Sequence, residues 1–212
     1  LTAVNQEHTK MRDLVNQQTE VGLLLALPAI LAVIAFAPWM IKLFYTSEFS
    51  DAVVLLQIFS LGCLGRVISW PMGFIILALG RAKLFAATEL LGNTVHLILI
   101  VLGLKLFGLT GVALAFAGLY VLYIGFMLVL SRKMIGFSWS RPVVKLVGMS
   151  LAACMLILLS SLNLSLLAST IVGCLSVCAG GISCLRVLLQ RLGSEHQIRR
   201  KLVGIPLLRS LI

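Results

Sequence analysis

Residues 84–130 read LFAATELLGNTVHLILIVLGLKLFGLTGVALAFAGLYVLYIGFMLVL and contain one acid, Glu89, and one lysine, Lys105. A bilayer core about 30 Å thick is crossed by a helix of about 20 apolar residues. The stretch is long enough for two crossings, at 84–104 and 109–130, with an apolar and therefore open boundary between them. Backbone groups find no water inside a bilayer, so each crossing must be helical. The stretch predicts a pair of membrane helices.

The same apolar pattern covers most of the chain. Of its 212 residues 60% are hydrophobic and 11% are charged, and the mean hydropathy is +1.11. A water-soluble domain carries many more surface charges, and a β-barrel would show alternating ten-residue segments, which are absent. We predict an all-α, polytopic membrane helix bundle of one domain (21–189) with six transmembrane helices at about 21–45, 52–79, 84–104, 109–130, 146–162 and 166–189. A polar lead-in (1–20) precedes it and a basic tail (190–212) follows it.

The basic residues predict the orientation of these helices. Most of the 17 lysines and arginines lie in the lead-in, the turn 80–83, the loop 131–145 and the tail after residue 185, whereas the connections 46–51, 104–110 and 161–165 contain one lysine. The positive-inside rule then places both termini in the cytoplasm. Six crossings likewise require both termini to lie on the same side of the membrane. The tail could be an interfacial helix on the inner leaflet or a solvated segment.

The net charge of +10 does not indicate nucleic-acid binding, because the bases occupy short runs between apolar segments. The five cysteines lie inside apolar stretches without histidine or acidic partners at metal-ligand spacing, so we interpret them as packing residues. No catalytic grouping, metal cluster or phosphate-binding glycine loop is recognisable. We therefore expect neither an enzyme nor a resident cofactor or metal.

Arg66 lies near the centre of the second predicted helix. A charge at this depth costs about 2.5–3.5 kcal/mol on insertion scales, so it indicates a cavity or a partner. Helical spacing places Ser69, Trp70 and two glycines on the same face. We expect this stripe to face a protein interior or a water-filled cavity.

The third predicted helix has a matching polar face. Glu89, Asn93 and His96 are spaced four and three residues apart, within one narrow arc of the helix. They could line a path for a charged substrate or relay protons. They could also form a structural network in which Glu89 or His96 pairs with Arg66. On the fourth helix, glycines 111, 118 and 125 recur every seven residues and predict a close-packing seam.

Several segments resemble one transporter family. They are LTAVNQEHTKMRDLVNQQTEVGLLLALP (1–28), FAPWMIKLFYTSEF (36–49), GRVISWPMGFIILALGRAK (65–83), ATELLGNTVHLILIVLGLKLFGLTGVALAF (87–116) and SRKMIGFSWS (131–140). Together they resemble the polysaccharide transporter branch of the multidrug/oligosaccharidyl-lipid/polysaccharide exporter superfamily, which contains the O-antigen translocases, or Wzx-type flippases. Residues 141–212 match this family only as two further helices with a basic tail.

The resemblance implies a two-lobe exporter fold of twelve to fourteen helices, of which this chain is the C-terminal portion. It implies translocation of an undecaprenyl-pyrophosphate-linked oligosaccharide across the bacterial inner membrane, in lipopolysaccharide or related surface-polysaccharide biosynthesis. The expected partners are this lipid-linked substrate, membrane lipids, the missing N-terminal helices of the same protein and the polysaccharide polymerase machinery. Arg66 would accept the diphosphate, with Ser69, Trp70, Glu89, Asn93 and His96 along the substrate path.

Other functions stay open at this stage. A drug or cation antiporter of the same superfamily would share the fold, but it would be expected to use membrane-embedded acids rather than Arg66. A membrane enzyme acting on lipid-linked sugars would be expected to carry a large outer loop, whereas the longest outer connection here is about six residues. If Leu1 were a true start, a non-transporting remnant would be the best interpretation.

Overall fold

The computed structural model describes residues 2–45 and 49–191, and these form five long helices. They are α1 (Thr2–Phe44), α2 (Ala52–Ala78), α3 (Ala82–Ile135), α4 (Arg141–Asn163) and α5 (Leu166–Arg191). No strand occurs within the described ranges. Each helix is long and apolar enough to cross a membrane. The chain is therefore an all-helical, multi-pass membrane protein.

The exposed surface of the bundle is apolar, as contact with lipid requires. Leucines 43, 106, 109 and 167 and Val121 are 71% to 78% exposed. In water so many exposed aliphatic side chains would promote aggregation, whereas in a bilayer they face acyl chains.

The 54 residues of α3 fold back on themselves. Gly108 has φ 60° and ψ −145°, a backbone conformation that residues other than glycine rarely adopt. The backbones of Gly103 and Gly111 are in contact across the turn. Residues 82–107 form the first arm of this hairpin and residues 109–135 the second. The two predicted helices 84–104 and 109–130 thus correspond to the two arms, joined by one glycine rather than by a loop.

The predicted lead-in is continuous with the first predicted span. α1 begins at Thr2 and runs without interruption through Pro28 and Pro38. Apart from its first two residues, the predicted basic tail 190–212 lies outside the described part of the chain.

α1 is the central helix of the bundle and packs against α2, α4 and α5. One apolar cluster joins these four helices around Leu31, Ile34, Leu64, Ile157 and Cys184. A second cluster joins the start of α1, the end of α2 and the second arm of α3. Phe137, which follows the C-cap of α3, is a buried member of this cluster.

Polar contacts show that α1 and α5 run antiparallel. Arg191, the last residue of α5, pairs with Glu20 of α1 at 2.8 Å, whereas Trp39 near the other end of α1 donates a hydrogen bond to Thr170 near the start of α5. Asn16 binds the α3–α4 loop by donating to the Ser138 carbonyl oxygen. The start of α1, the end of α5 and this loop therefore lie at one end of the molecule.

The predicted glycine seam on the second arm of α3 is present only at Gly111. A Cβ atom added at Gly118 or Gly125 would meet nothing within 4 Å. The close approaches involve glycines 62 and 65 of α2, which lie under the rings of Phe116 and Tyr120. The second arm is rotated so that its aromatic face, rather than its glycines, packs on α2.

Candidate functional site

Three helical segments line an open cavity of about 140 Å³ beside Arg66. α2 contributes residues at positions i, i+3, i+4 and i+7, which share one face of a helix. The first and second arms of α3 form the other walls. The lining residues are Arg66, Ser69, Trp70, Gly73, Phe85, Glu89, Gly92, Asn93, Leu119, Tyr120 and Tyr123.

The cavity brings together five of the six residues that the sequence singled out. Arg66, Ser69 and Trp70 line it from α2, and Glu89 and Asn93 line it from the first arm of α3. That these residues line a substrate path stays a prediction, because their proximity alone identifies no ligand.

The sixth residue, His96, is not among the lining residues of this cavity. Its imidazole lies beside the ring of Phe116, with ring centroids 5.7 Å apart and planes inclined by 51°. His96 is therefore placed one turn beyond Asn93, against the aromatic face of the second arm.

Glu89 is hydrogen-bonded to a tyrosine rather than paired with the arginine. The Tyr123 hydroxyl donates to Glu89 Oε1 at 2.6 Å. Such a short bond between a hydroxyl and a carboxylate oxygen is of the charge-assisted kind. The contact joins the two arms of α3 at the cavity wall, so Tyr123 fixes where the carboxylate lies.

Arg66 forms no ion pair with an acid in the described part of the chain. The acid–base ion pair found there joins Arg191 to Glu20. Its side chain is exposed and lines the cavity. The alternative in which Glu89 or His96 pairs with Arg66 is therefore not the arrangement that the structure adopts. A guanidinium offers five donors in a planar fork suited to carboxylate or phosphate oxygens. The cavity thus presents a cationic group that can accept an anion.

Local backbone geometry places Arg66 and the residues around it. Ser69 donates its hydroxyl to the Arg66 carbonyl oxygen at 3.1 Å. Pro71 has no N–H, so the carbonyl of Val67 loses its helical donor on the same stretch of α2. The helical hydrogen bonding of α2 is therefore interrupted next to Arg66.

The aromatic wall of the cavity was not predicted from the sequence. Tyr120 and Tyr123 are half-buried and continue a row of rings along the second arm. Neighbouring ring centroids are 5.0 to 6.5 Å apart from Phe116 through Tyr120 and Tyr123 to Phe126. A tyrosine in an apolar helix usually indicates packing or an interfacial anchor, so only the three-residue spacing of the two hydroxyls could have drawn attention to them.

Trp70 is the most exposed aromatic residue of the cavity lining. It is 64% exposed and stacks beside Phe74, with centroids 6.5 Å apart and planes inclined by 23°. An exposed indole next to a guanidinium and an amide is suited to a ligand with both apolar and polar faces.

The lining of the cavity can contact a ligand through charge, hydrogen bonds and aromatic faces. In the part of the chain that the structure describes, no three His, Cys, Asp or Glu side chains are grouped closely enough to hold a metal ion. The lining offers one cation, one hydrogen-bonded carboxylate, an amide, two phenols and an indole. Such a set can orient an anionic group and neighbouring hydroxyls.

No family model, curated protein or solved structure matches this chain.

Proposed function

We propose that this chain is the C-terminal part of a flippase that moves an undecaprenyl-pyrophosphate-linked oligosaccharide across the bacterial inner membrane by alternating access. The observation that carries the proposal is Arg66. It is a cation within a membrane-spanning helix, it lines a cavity, and it has no acidic partner among the described residues. An intramembrane charge of this kind faces a water-filled cavity or a partner, and an anionic substrate can be that partner.

The composition of the cavity supports an anionic, sugar-bearing substrate. Arg66 is suited to the diphosphate. Asn93 and Glu89 can hydrogen-bond to sugar hydroxyls, and the exposed face of Trp70 can pack on a sugar ring. The lipid tail can remain in the bilayer. The cavity therefore needs to hold only the polar head group, one part at a time.

The arrangement of helices supports the same function. Segments that follow one another along the described chain run antiparallel. The site lies between α2 and the α3 hairpin. Discontinuous or kinked helices are typical of transporter sites. In this proposal both termini are cytoplasmic. The missing N-terminal helices supply the opposing lobe, and rocking of the two lobes exposes the cavity to each leaflet in turn.

The proposal is tested in the full-length protein by replacing Arg66. Arg66→Ala should abolish surface polysaccharide while leaving the amount of membrane-inserted protein unchanged. Arg66→Lys, which keeps the charge but loses the bidentate fork, should retain a reduced fraction of the surface polysaccharide. Lys105→Ala is the matched control, since this exposed lysine lies near the α3 turn and outside the cavity lining. Normal surface polysaccharide in Arg66→Ala would overturn the assignment.

A drug or cation antiporter is the second candidate, because Glu89 lies in the same cavity. A cation exporter would depend on this carboxylate rather than on the guanidinium. Loss of resistance to cationic drugs in Glu89→Gln, with resistance preserved in Arg66→Ala, would favour the antiporter. Loss of surface polysaccharide in Arg66→Ala, with surface polysaccharide preserved in Glu89→Gln, would favour the flippase.

A further inference from the structure

A second and larger groove, of about 540 Å³, shares no lining residue with the cavity of Arg66. It is formed by α1, α4 and α5 and is separate from the cavity of Arg66. Its walls are mostly aliphatic, with Leu24, Leu27 and Leu31 from α1, Leu146 and Met149 from α4, and Val187 from α5.

One end of this groove is charged and the rest is mostly apolar. Glu20 and Lys145 lie at the end that is close to the α3–α4 loop. The carboxylate of Glu20 is already neutralised, since one guanidinium nitrogen of Arg191 contacts both of its oxygens at 2.8 and 2.9 Å. Lys145 is exposed and forms no ion pair with an acid of the described ranges. The charged end therefore carries a net positive charge.

The length of the groove corresponds to one leaflet. The lining on α1 extends from Glu20 to Leu31. At 1.5 Å per residue this distance is about 16 Å along the helix. Half of a bilayer core about 30 Å thick is about 15 Å. A lipid anchored at the charged end would thus extend one acyl chain to the middle of the membrane and no further.

We propose that this groove binds one anionic phospholipid of the leaflet that faces the Lys145 end. The phosphate lies against the ammonium of Lys145, and one acyl chain lies along the three leucines of α1. This resident lipid is distinct from the proposed cargo, whose polyprenyl chain is much longer than one leaflet. The inference does not depend on the transport function, because none of the residues that line the groove lines the cavity of Arg66.

Lipid retention by the full chain provides the first test. The protein is reconstituted in nanodiscs of phosphatidylcholine with a minor fraction of phosphatidylglycerol, released in mild detergent and examined by native mass spectrometry. We expect one retained phosphatidylglycerol per chain. Lys145→Gln should lower its retention about fivefold, the effect of about one surface charge. Lys133→Gln, an exposed base outside the groove, should leave retention unchanged.

Filling the groove provides the second test. Ser176 lines the groove from α5, so Ser176→Trp should displace the acyl chain and abolish retention of either phospholipid. The matched control is Leu175→Trp on the adjacent, 67% exposed position, which lies outside the lining. Equal retention by both tryptophan variants would overturn the proposal.

Two other outcomes would also overturn it. A retained polyprenyl phosphate in place of phosphatidylglycerol would make the groove part of the cargo path. Retention that begins only after removal of residues 192–212 would identify the tail as the occupant. Arg66→Ala should retain phosphatidylglycerol normally, so a failure of the flippase assignment and a failure of the lipid site are separable.

Discussion

The amide of Gln57 compensates for a proline in the neighbouring helix. Pro38 has no N–H, so the carbonyl of Ile34 lacks its helical donor. Gln57 is fully buried, and its Nε2 donates to that carbonyl oxygen at 3.0 Å and to Ser161 Oγ at 2.9 Å. One side chain of α2 thus joins α1 and α4 where α1 would otherwise carry an unsatisfied buried acceptor.

We expect Gln57→Leu to destabilise the bundle, because a buried acceptor left unsatisfied costs about 1–3 kcal/mol. The fall in melting temperature in detergent should be about 2–4 °C per kcal/mol for a chain of this size. The double variant Pro38→Ala/Gln57→Leu should recover most of the loss, since replacing the proline restores the helical N–H donor. Gln190→Leu, at an exposed position, is the control. A double variant no more stable than Gln57→Leu would contradict this role.

The Tyr123 hydroxyl determines where the Glu89 carboxylate lies. Without that 2.6 Å bond the carboxylate is released toward Arg66, across the same cavity. Tyr123→Phe keeps the ring that packs over Gly92 but removes the donor. If the flippase proposal is correct, transport in Tyr123→Phe should fall by roughly tenfold or more, since a hydrogen bond to a charged group is worth about 1.5–3 kcal/mol.

This prediction is measured as surface polysaccharide at equal protein level. The double variant Glu89→Gln/Tyr123→Phe should recover part of the activity, because a neutral amide no longer competes for Arg66. Thr94→Val, an exposed position on the same arm, serves as the control. Equal activity of Tyr123→Phe and wild type would show that the bond has no part in transport.

At the scale of the element, the turn of α3 depends on a single glycine. Gly108→Ala places a Cβ at φ 60° and ψ −145°, a strained conformation that costs about 1–3 kcal/mol. We expect a lower melting temperature and weaker packing of the two arms. Gly118→Ala on the second arm is the control, because open space surrounds it and alanine favours a helix by about 0.5–1 kcal/mol. Equal thermal stability of the two variants would mean that the turn is not strained.

The α3 hairpin also shows which parts of the fold could be predicted from the sequence. Apolar length was sufficient to predict helices at 84–104 and 109–130, because burial of backbone groups in lipid permits little else. The way in which they join was not predictable. The segment around Gly108 has only Lys105 and Thr110 as polar side chains, and a turn made by one glycine leaves little compositional signal.

The candidate site was predictable to the extent that it depends on spacing along one helix. Arg66 and Glu89 were identified because intramembrane charges are conspicuous and helical periodicity assigns their faces. The partner of Glu89 was not predictable, because it depends on the rotation of the second arm about its axis. That rotation follows from the seating of Phe116 and Tyr120 over the glycines of α2, a long-range packing effect.

At the scale of the whole molecule, the antiparallel contacts place most of the described bases at one end. Glu20 and Arg191 meet there, and Asn16 binds the α3–α4 loop at the same end. The ends of α2 and α3 and the start of α4 lie beside them, together with Arg81, Lys83, Arg132, Lys133, Arg141 and Lys145. The opposite end, which contains the α1–α2 connection and the turn of α3, carries Asp51 and two described bases, Lys42 and Lys105.

Because bases accumulate on the cytoplasmic side of membrane proteins, we predict that the α3–α4 loop is cytoplasmic and that the α1–α2 connection is outside. Cysteines introduced singly at Ser138 and Ser50, both exposed, report on the two ends in a background without native cysteines. A membrane-impermeant maleimide added to intact cells should label Ser50→Cys at once and Ser138→Cys only after permeabilisation. The reverse pattern would invert the orientation. Labelling of both positions in intact cells would contradict the antiparallel bundle itself, because the two positions would then share one side of the membrane.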